Sequence, residues 1–221
     1  TFIRQNYGFD KFSFIDDCFA LNKAWVYEFC DKIRPHGIKF RFQAFMNILD
    51  EPIIDKMQSA GIIGVSLGME SGSGMIQKEY KKNIVLKKAD DLIALLQKKG
   101  INNNASFIIG AEGENHDTIE ATKDFLIRNH FTTNFQIFFL TPYPGSSLYN
   151  RALAQGKIKD EIQYIKSLKL QDELTINLTK FPDEQLYKWK EYIITSVARA
   201  SGIQLKDTSG VIWIRETSPS D

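Results

Sequence analysis

The sequence predicts an α/β fold: a partial (β/α)6 barrel of mainly parallel strands, with its first strand outside the chain and a helical C-terminal extension. Three observations lead there. Short apolar runs alternate five times with amphipathic helical stripes, the pattern of successive βα units. Each run ends in polar or Gly/Pro-rich residues, where parallel α/β folds gather their ligand sites. The 221 residues, 43% hydrophobic and 25% charged, are enough to bury a sizeable core. The predicted division is a barrel over 1–158 and a mostly helical extension and tail over 159–221.

The first strand is FSFI (12–15), followed by a helix in LNKAWVYEFCDKI with Leu21, Trp25, Phe29 and Ile33 on one stripe. IKFRFQA (38–44) is the second strand, and its helix has Asp50 as N-cap, Pro52 in the first turn and Gly61 as its stop. IIGVSLG (62–68) is the third, after which Ala89, Leu92, Ile93 and Leu96 stripe a helix that ends at Gly100. NASFIIG (104–110) is the fourth, before a helix in which Asp117 and Glu120 have the spacing of a capping box. NFQIFFL (134–140) is the fifth, with a helix near 146–155. Beyond it Leu186, Trp189, Ile193 and Val197 mark an amphipathic helix after Pro182, VIWI (211–214) reads as an edge strand, and ETSPSD reads as a disordered tail.

Composition excludes several functions. Lys and Arg number 28 against 27 Asp and Glu, so no global field favours nucleic acid or an anionic membrane surface. No apolar run approaches the roughly 18 residues that span a bilayer, and no secretory leader opens the sequence. The expectation is a soluble, cytoplasmic chain with neither nucleic acid nor a membrane as partner. Cys18 and Cys30, the only cysteines, are too few for a disulfide framework and too far apart for a compact metal motif, so both read as reduced thiols. His36, His116 and His130 are too scattered for a local zinc motif, and no metal ligands are expected in this chain. Met69 stands where a GxSxG elbow at Ser71 needs glycine, Gln77 breaks GxGxxG, and no GxxxxGK[ST] occurs. KEYKK (78–82) lacks the interleaved aromatics of an RNA platform and reads as a solvated helix face.

The strand ends carry the chemistry. Asp16 and Asp17 follow the first strand, Gln43 and Asn47 the second, Glu70 and Ser71 the third, Gly110, Glu112 and Glu114 the fourth, and TPYPGS the fifth. Facing one mouth, they suit the amine, hydroxyls and base edges of a small polar ligand, with helix N-termini for its anionic part. Each also has a plainer reading, the aspartates as helix caps and the glycines and prolines as turn residues. Glu70 resists that treatment, because a helix start uses the Ser after it and not the acid before it.

In chain order, FSFIDDCF, FQAFMNILDEPIIDKMQSAGI, GVSLGMESGS, FIIGAEGEN and FFLTPYPGSSLYNRALAQGKI resemble the TIM-like barrel of radical S-adenosylmethionine enzymes. They are most similar to the branch that often carries an N-terminal cobalamin-binding domain, which includes methyltransferases and the anaerobic magnesium-protoporphyrin monomethyl ester cyclase. The resemblance spans roughly residues 9–158 and implies S-adenosylmethionine as cofactor. By motif it implies that Asp16 and Asp17 lie near the methionine end. Gln43 closes the second strand on the same mouth. Glu70, Ser71 and Gly72 are implied to meet the methionine or ribose portion, and Ile108 and Gly110 the adenine, with Pro142 to Ser146 closing the mouth. It further implies a four-iron four-sulfur cluster with its reductant, cobalamin through a separate upstream domain, and radical chemistry on a small organic substrate.

The departures define the remaining expectations. Phe45 and Asn47 stand where the family usually writes Arg and Asp, and Ala111-Glu112-Gly113-Glu114-Asn115 lacks the usual Leu, Pro and Thr of G-[LI]-P-G-E-T. CxxxCxxC, which supplies the cluster's thiolates, does not occur, and Cys18 and Cys30 cannot replace it. With Thr1 in place of an initiator Met, the chain reads as a piece of a longer iron-sulfur enzyme, cut downstream of that motif and inactive alone. The unpaired first-strand edge is expected to be covered by self-association or by residues 160–221. The competing reading is a degenerate barrel acting as a binding or scaffold domain. A metal-independent lyase with Glu70 as general base ranks last, for want of a second acid or a Lys.

Overall fold

The computed structural model describes residues 2–16 and 19–203. Asp17, Cys18, the VIWI segment and the terminal ETSPSD lie outside the described residues. The elements run α1 (Phe2–Tyr7), β1 (Lys11–Ser13), α2 (Lys23–Ile33), β2 (Lys39–Ala44), α3 (Glu51–Ala60), β3 (Ile62–Glu70), α4 (Gly74–Glu79), α5 (Leu86–Lys98), β4 (Asn102–Ile109), α6 (His116–Arg128), β5 (Phe135–Phe139), α7 (Ser147–Ala154), α8 (Glu161–Ser167) and α9 (Asp183–Ala200). The five strands form one parallel sheet in the order β1-β2-β3-β4-β5, the sequential order of a partial (β/α) barrel, and the predicted α/β class holds. Phe12 pairs with Phe40 in register, and Gln43 with Ser66. No helix among the described residues is long and apolar enough to cross a membrane.

The chain divides into two compact units. The first is Thr1–Met69 with Ile84–Ser106. Alternation along β2 sends Phe40, Phe42 and Ala44 inward and leaves Lys39, Arg41 and Gln43 exposed. Phe14, Phe19, Phe29, Phe40 and Phe42 then pack as an aromatic cluster with centroids 4.8 to 6.4 Å apart. The α2 stripe departs from expectation. Asn22 caps that helix by accepting the Trp25 N–H, so Leu21 precedes it and is 68% exposed, while Val26 and Cys30 are the residues buried. Trp25 lies flat on Phe29 at 5.4 Å and remains half exposed, covering the aromatic cluster from outside.

Asp50 caps α3 by accepting the Ile53 N–H, and Gly61 ends it with φ +105°, as expected. A Cβ at Gly61 would collide with the Ile38 carbonyl oxygen, so both the conformation and the contact require glycine. Helix α5 buries the predicted Ala89, Leu92, Ile93 and Leu96.

The second unit is Glu70–Asn83 with Phe107–Asp221. Helix α6 has its capping box two residues before the predicted one: Asn115 is the N-cap, and Thr118 returns the bond by accepting the Asn115 N–H. The shift follows from reach, because the Asn115 side chain also takes the Asp117 N–H and leaves Asp117 inside the first turn. Helix α9 starts after Pro182 and buries all four predicted residues, Leu186, Trp189, Ile193 and Val197. Each such side chain contributes about 1.5–3 kcal/mol relative to exposure, enough to fix the helix on its neighbours. Tyr149, Ala152 and Ile158 pack with Tyr164 and Leu178 in one apolar cluster.

Candidate functional site

Strand β3 is buried along almost its whole length and ends on an acid. Glu70 has φ +63°, a left-handed conformation that side chains seldom adopt, and only 7% of the residue is exposed. Its carboxylate lies 3.0 Å from Lys82 Nζ. Holding a non-glycine residue there costs roughly 1 kcal/mol or more, and burial of a carboxylate adds a desolvation cost. A glycine would turn the chain without either penalty.

The residues after Glu70 are committed to packing. Ser71 Oγ lies 3.2 Å from Thr122 Oγ1 on α6, and the same Thr122 oxygen accepts the Gly72 N–H at 3.1 Å. Ser71 Oγ also accepts the Ser73 N–H, and its carbonyl accepts from Gln77 Nε2. Gly72 is pressed so tightly on α6 that a Cβ would stand 2.6 to 2.7 Å from Ala121 O, Thr122 Cα and Phe125 Cβ. Ser71 is 1% exposed. Ser71 and Gly72 therefore fasten the turn that presents Glu70.

The end of β4 is held from the same side. Tyr80 donates its hydroxyl to the Ile108 carbonyl at 3.4 Å, and Gly110 turns the chain with φ +104°. The Gly110 N–H donates to Glu114 Oε2 at 3.2 Å, and Thr118 donates to Glu114 Oε1 at 2.6 Å. Glu79, the last residue of α4, accepts the Glu112 N–H at 3.0 Å and the Gly113 N–H at 3.1 Å. Glu114 is 2% exposed, and that burial pushes its carboxyl up to about 7 despite the bonds it accepts. Burial, with the charges of Glu114, Glu79 and Glu70 behind it, pushes the Tyr80 phenol well above its usual range. Arg151 on α7 pairs with Glu112 at 3.5 Å. In the TPYPGS turn, Ser146 caps α7 through the Tyr149 N–H, and the Pro142 carbonyl accepts from Tyr164.

Glu70, Ser71, Gly72, Ile108 and Gly110 thus belong to one unit, joined through α4 and α6. Asp16 and Gln43 belong to the other unit, where both are exposed and the Gln43 carbonyl accepts the Phe19 N–H. Four contributors were misread or missed in the sequence: Glu79, Tyr80 and Lys82 lie in KEYKK, read as a solvated helix face, yet they are partly buried and bonded to the ends of β3 and β4, and Thr122 was not singled out. Helix α4 has six residues, too few for a periodic signal, and Thr122 is indistinguishable from any helical Thr until its partner is known. Cys30 is buried on α2, where burial pushes its thiol up to about 11, far from the thiolate a metal requires. Among the described residues no group of His, Cys, Asp and Glu could hold a metal ion.

The sequence pattern of the Radical SAM superfamily matches residues 3–126. An uncharacterized methyltransferase of Pyrococcus horikoshii is 30% identical over 158 residues, covering 71% of this chain and 34% of that protein. The bacteriochlorophyllide d C-8(2)-methyltransferase of Chlorobaculum tepidum is 27% identical over 198 residues, covering 84% of this chain and 44% of that protein. The chain thus spans less than half the length of either relative. Among solved structures, the radical S-adenosylmethionine methyltransferase TsrM of Kitasatospora setae, with cobalamin and a [4Fe-4S] cluster bound, superposes with a TM-score of 0.62 at 17% identity, over 70% of this chain and 32% of that one. That likeness establishes the partial-barrel fold.

Proposed function

The chain belongs to the radical SAM superfamily, and from that premise we propose that it is the S-adenosylmethionine-binding part of a longer enzyme acting on a small organic substrate. The reaction class is reductive cleavage of S-adenosylmethionine to a 5'-deoxyadenosyl radical, put to methyl transfer, cyclisation or another oxidation. Glu70 is the observation that carries this reading. A buried carboxylate in a left-handed backbone, with Lys82 as its counter-charge, is what a strand end keeps when the acid meets a ligand. Its oxygens can accept from a ligand ammonium or ribose hydroxyl, while Lys82, whose side chain is 35% exposed, places a positive charge beside the same strand end.

S-adenosylmethionine suits the polar groups present: the Glu70 carboxylate offers acceptors for its ammonium or ribose hydroxyls at the end of β3, while at the end of β4 the Cβ side of Gly110 is already covered by Leu186 and Leu140. A [4Fe-4S] cluster, when bound to the whole protein, supplies the electron for the cleavage. Its thiolates do not come from this chain, which has only two cysteines, one of them buried and protonated. The family pattern alone assigns Asp16 and Asp17 to the methionine end, Gln43 to the cofactor-binding mouth, and cobalamin to a separate domain.

Calorimetric titration of the purified chain with S-adenosylhomocysteine tests the reading. Saturable binding is expected, together with no 5'-deoxyadenosine after anaerobic iron-sulfide reconstitution and reduction. A folded chain with no adenosyl affinity would instead support a scaffold role.

A further inference from the structure

Between Ile108 and Gly113 the backbone is gripped by side chains to an extent that a surface turn does not need. Glu79 spans two consecutive amides, Oε1 taking Glu112 N–H and Oε2 taking Gly113 N–H. Its neighbour Tyr80 holds the Ile108 carbonyl. Glu114 takes the Gly110 N–H from the other side and also accepts from the Ala111 amide. Gly113 is matched to this grip, because a Cβ there would stand 2.7 Å from Glu79 Oε2. A run of amides in a tight turn makes a concavity that binds anions. Here that concavity is filled by the protein's own carboxylates.

We infer that Glu79 is a positioning residue for the adenosyl ligand: it presets the 110–113 loop and leaves none of its amides open to a phosphate. The inference rests on the reading above and deepens it. A loop already in its bound shape spends no ordering free energy when the ligand arrives, so affinity is gained without contact. It also makes the site selective. An adenosyl group carrying an uncharged or cationic 5' substituent is accepted, and a 5'-phosphorylated nucleotide finds no amide donors along this loop. The grip depends on Glu112 having an N–H, which a proline at that position would remove.

The test uses the 221-residue chain, its Glu79→Gln and Glu79→Ala variants, and Gly113→Ala, whose added carbon displaces the same carboxylate from the other side. Amide hydrogen exchange at Glu112 and Gly113 and the affinity for S-adenosylhomocysteine are measured well below the melting temperature. Exchange at those two amides is expected to accelerate and affinity to fall by about tenfold in Glu79→Ala and Gly113→Ala. Glu79→Gln, which keeps one acceptor, should lie between, and exchange within α6 should stay unchanged. Faster exchange with affinity held within twofold of wild type would overturn the inference, as would unchanged exchange. A wild-type chain that binds no adenosyl ligand would sink the functional reading instead, and exchange would still decide whether the grip exists. Should Glu79→Ala fail to fold, Glu79→Gln and Gly113→Ala decide the matter by the same two readouts.

Discussion

Lys82 Nζ lies 3.0 Å from the Glu70 carboxylate, and the pair joins the left-handed end of β3 to the segment that follows α4. The acid is the more buried partner, at 10% side-chain exposure against 35% for the lysine. An exposed turn would gain little from such a pair. Here it gives a buried carboxylate its counter-charge at a strand end.

Replacing Glu70 with glycine should separate stability from binding. Glycine relieves the positive φ, worth roughly 1 kcal/mol, and Lys82 regains its hydration, so the urea midpoint should hold or rise. Affinity for S-adenosylhomocysteine should fall at least about tenfold. A loss of several kcal/mol in unfolding free energy with affinity retained would make Glu70 a structural acid.

Gly72→Ala and Ser71→Ala should act on stability. The added Cβ meets backbone of α6 at 2.6 to 2.7 Å, which should cost about 1–3 kcal/mol. Loss of the Ser71 hydroxyl leaves the Ser73 amide without its acceptor and should cost about 1–3 kcal/mol. Denaturation curves check both. A Ser71→Ala chain of unchanged stability but lost ligand affinity would move the serine from fastening the turn to touching the ligand.

Glu114 should make the protein less stable as pH rises. Its folded carboxyl titrates near 7 against 4.5 when unfolded, because burial disfavours the charge. The folded state therefore holds the proton more tightly, and the favourable contribution is complete below 4.5 and is lost as pH climbs through about 7. The difference amounts to about 3 kcal/mol across that window. Glu79 and Tyr80 lie close to Glu114, and the nearby Glu79 charge acts in the same direction. Urea midpoints at pH 4.5 and 7.5 should differ for wild type and converge for Glu114→Gln. Equal slopes in the two proteins would contradict the assignment.

The strands, the Asp50 cap, the Gly61 stop and the buried stripes of α5 and α9 were legible because each is written in local periodicity or in one residue's conformational preference. The α2 face was misjudged by starting the helix at Leu21, before its Asn22 cap, and the α6 box by two residues, since several polar residues there could cap. What holds the candidate site was not legible. Thr122 clasps Ser71 and Gly72, and Glu79 clasps Glu112 and Gly113, from positions far along the chain. Nothing in the neighbouring residues announces such a partner. Glu70 stood out as an unexplained acid, but its left-handed backbone became visible only in the fold.

The most direct measurement is the amide NMR spectrum of the ¹⁵N-labelled chain titrated with S-adenosylhomocysteine. Saturable shifts are expected at Glu70, at Ile108 and Gly110, and along 111–113. Saturable binding that leaves all of these unmoved, or the absence of any binding by the folded chain, would contradict the claim that these strand ends receive the adenosyl ligand.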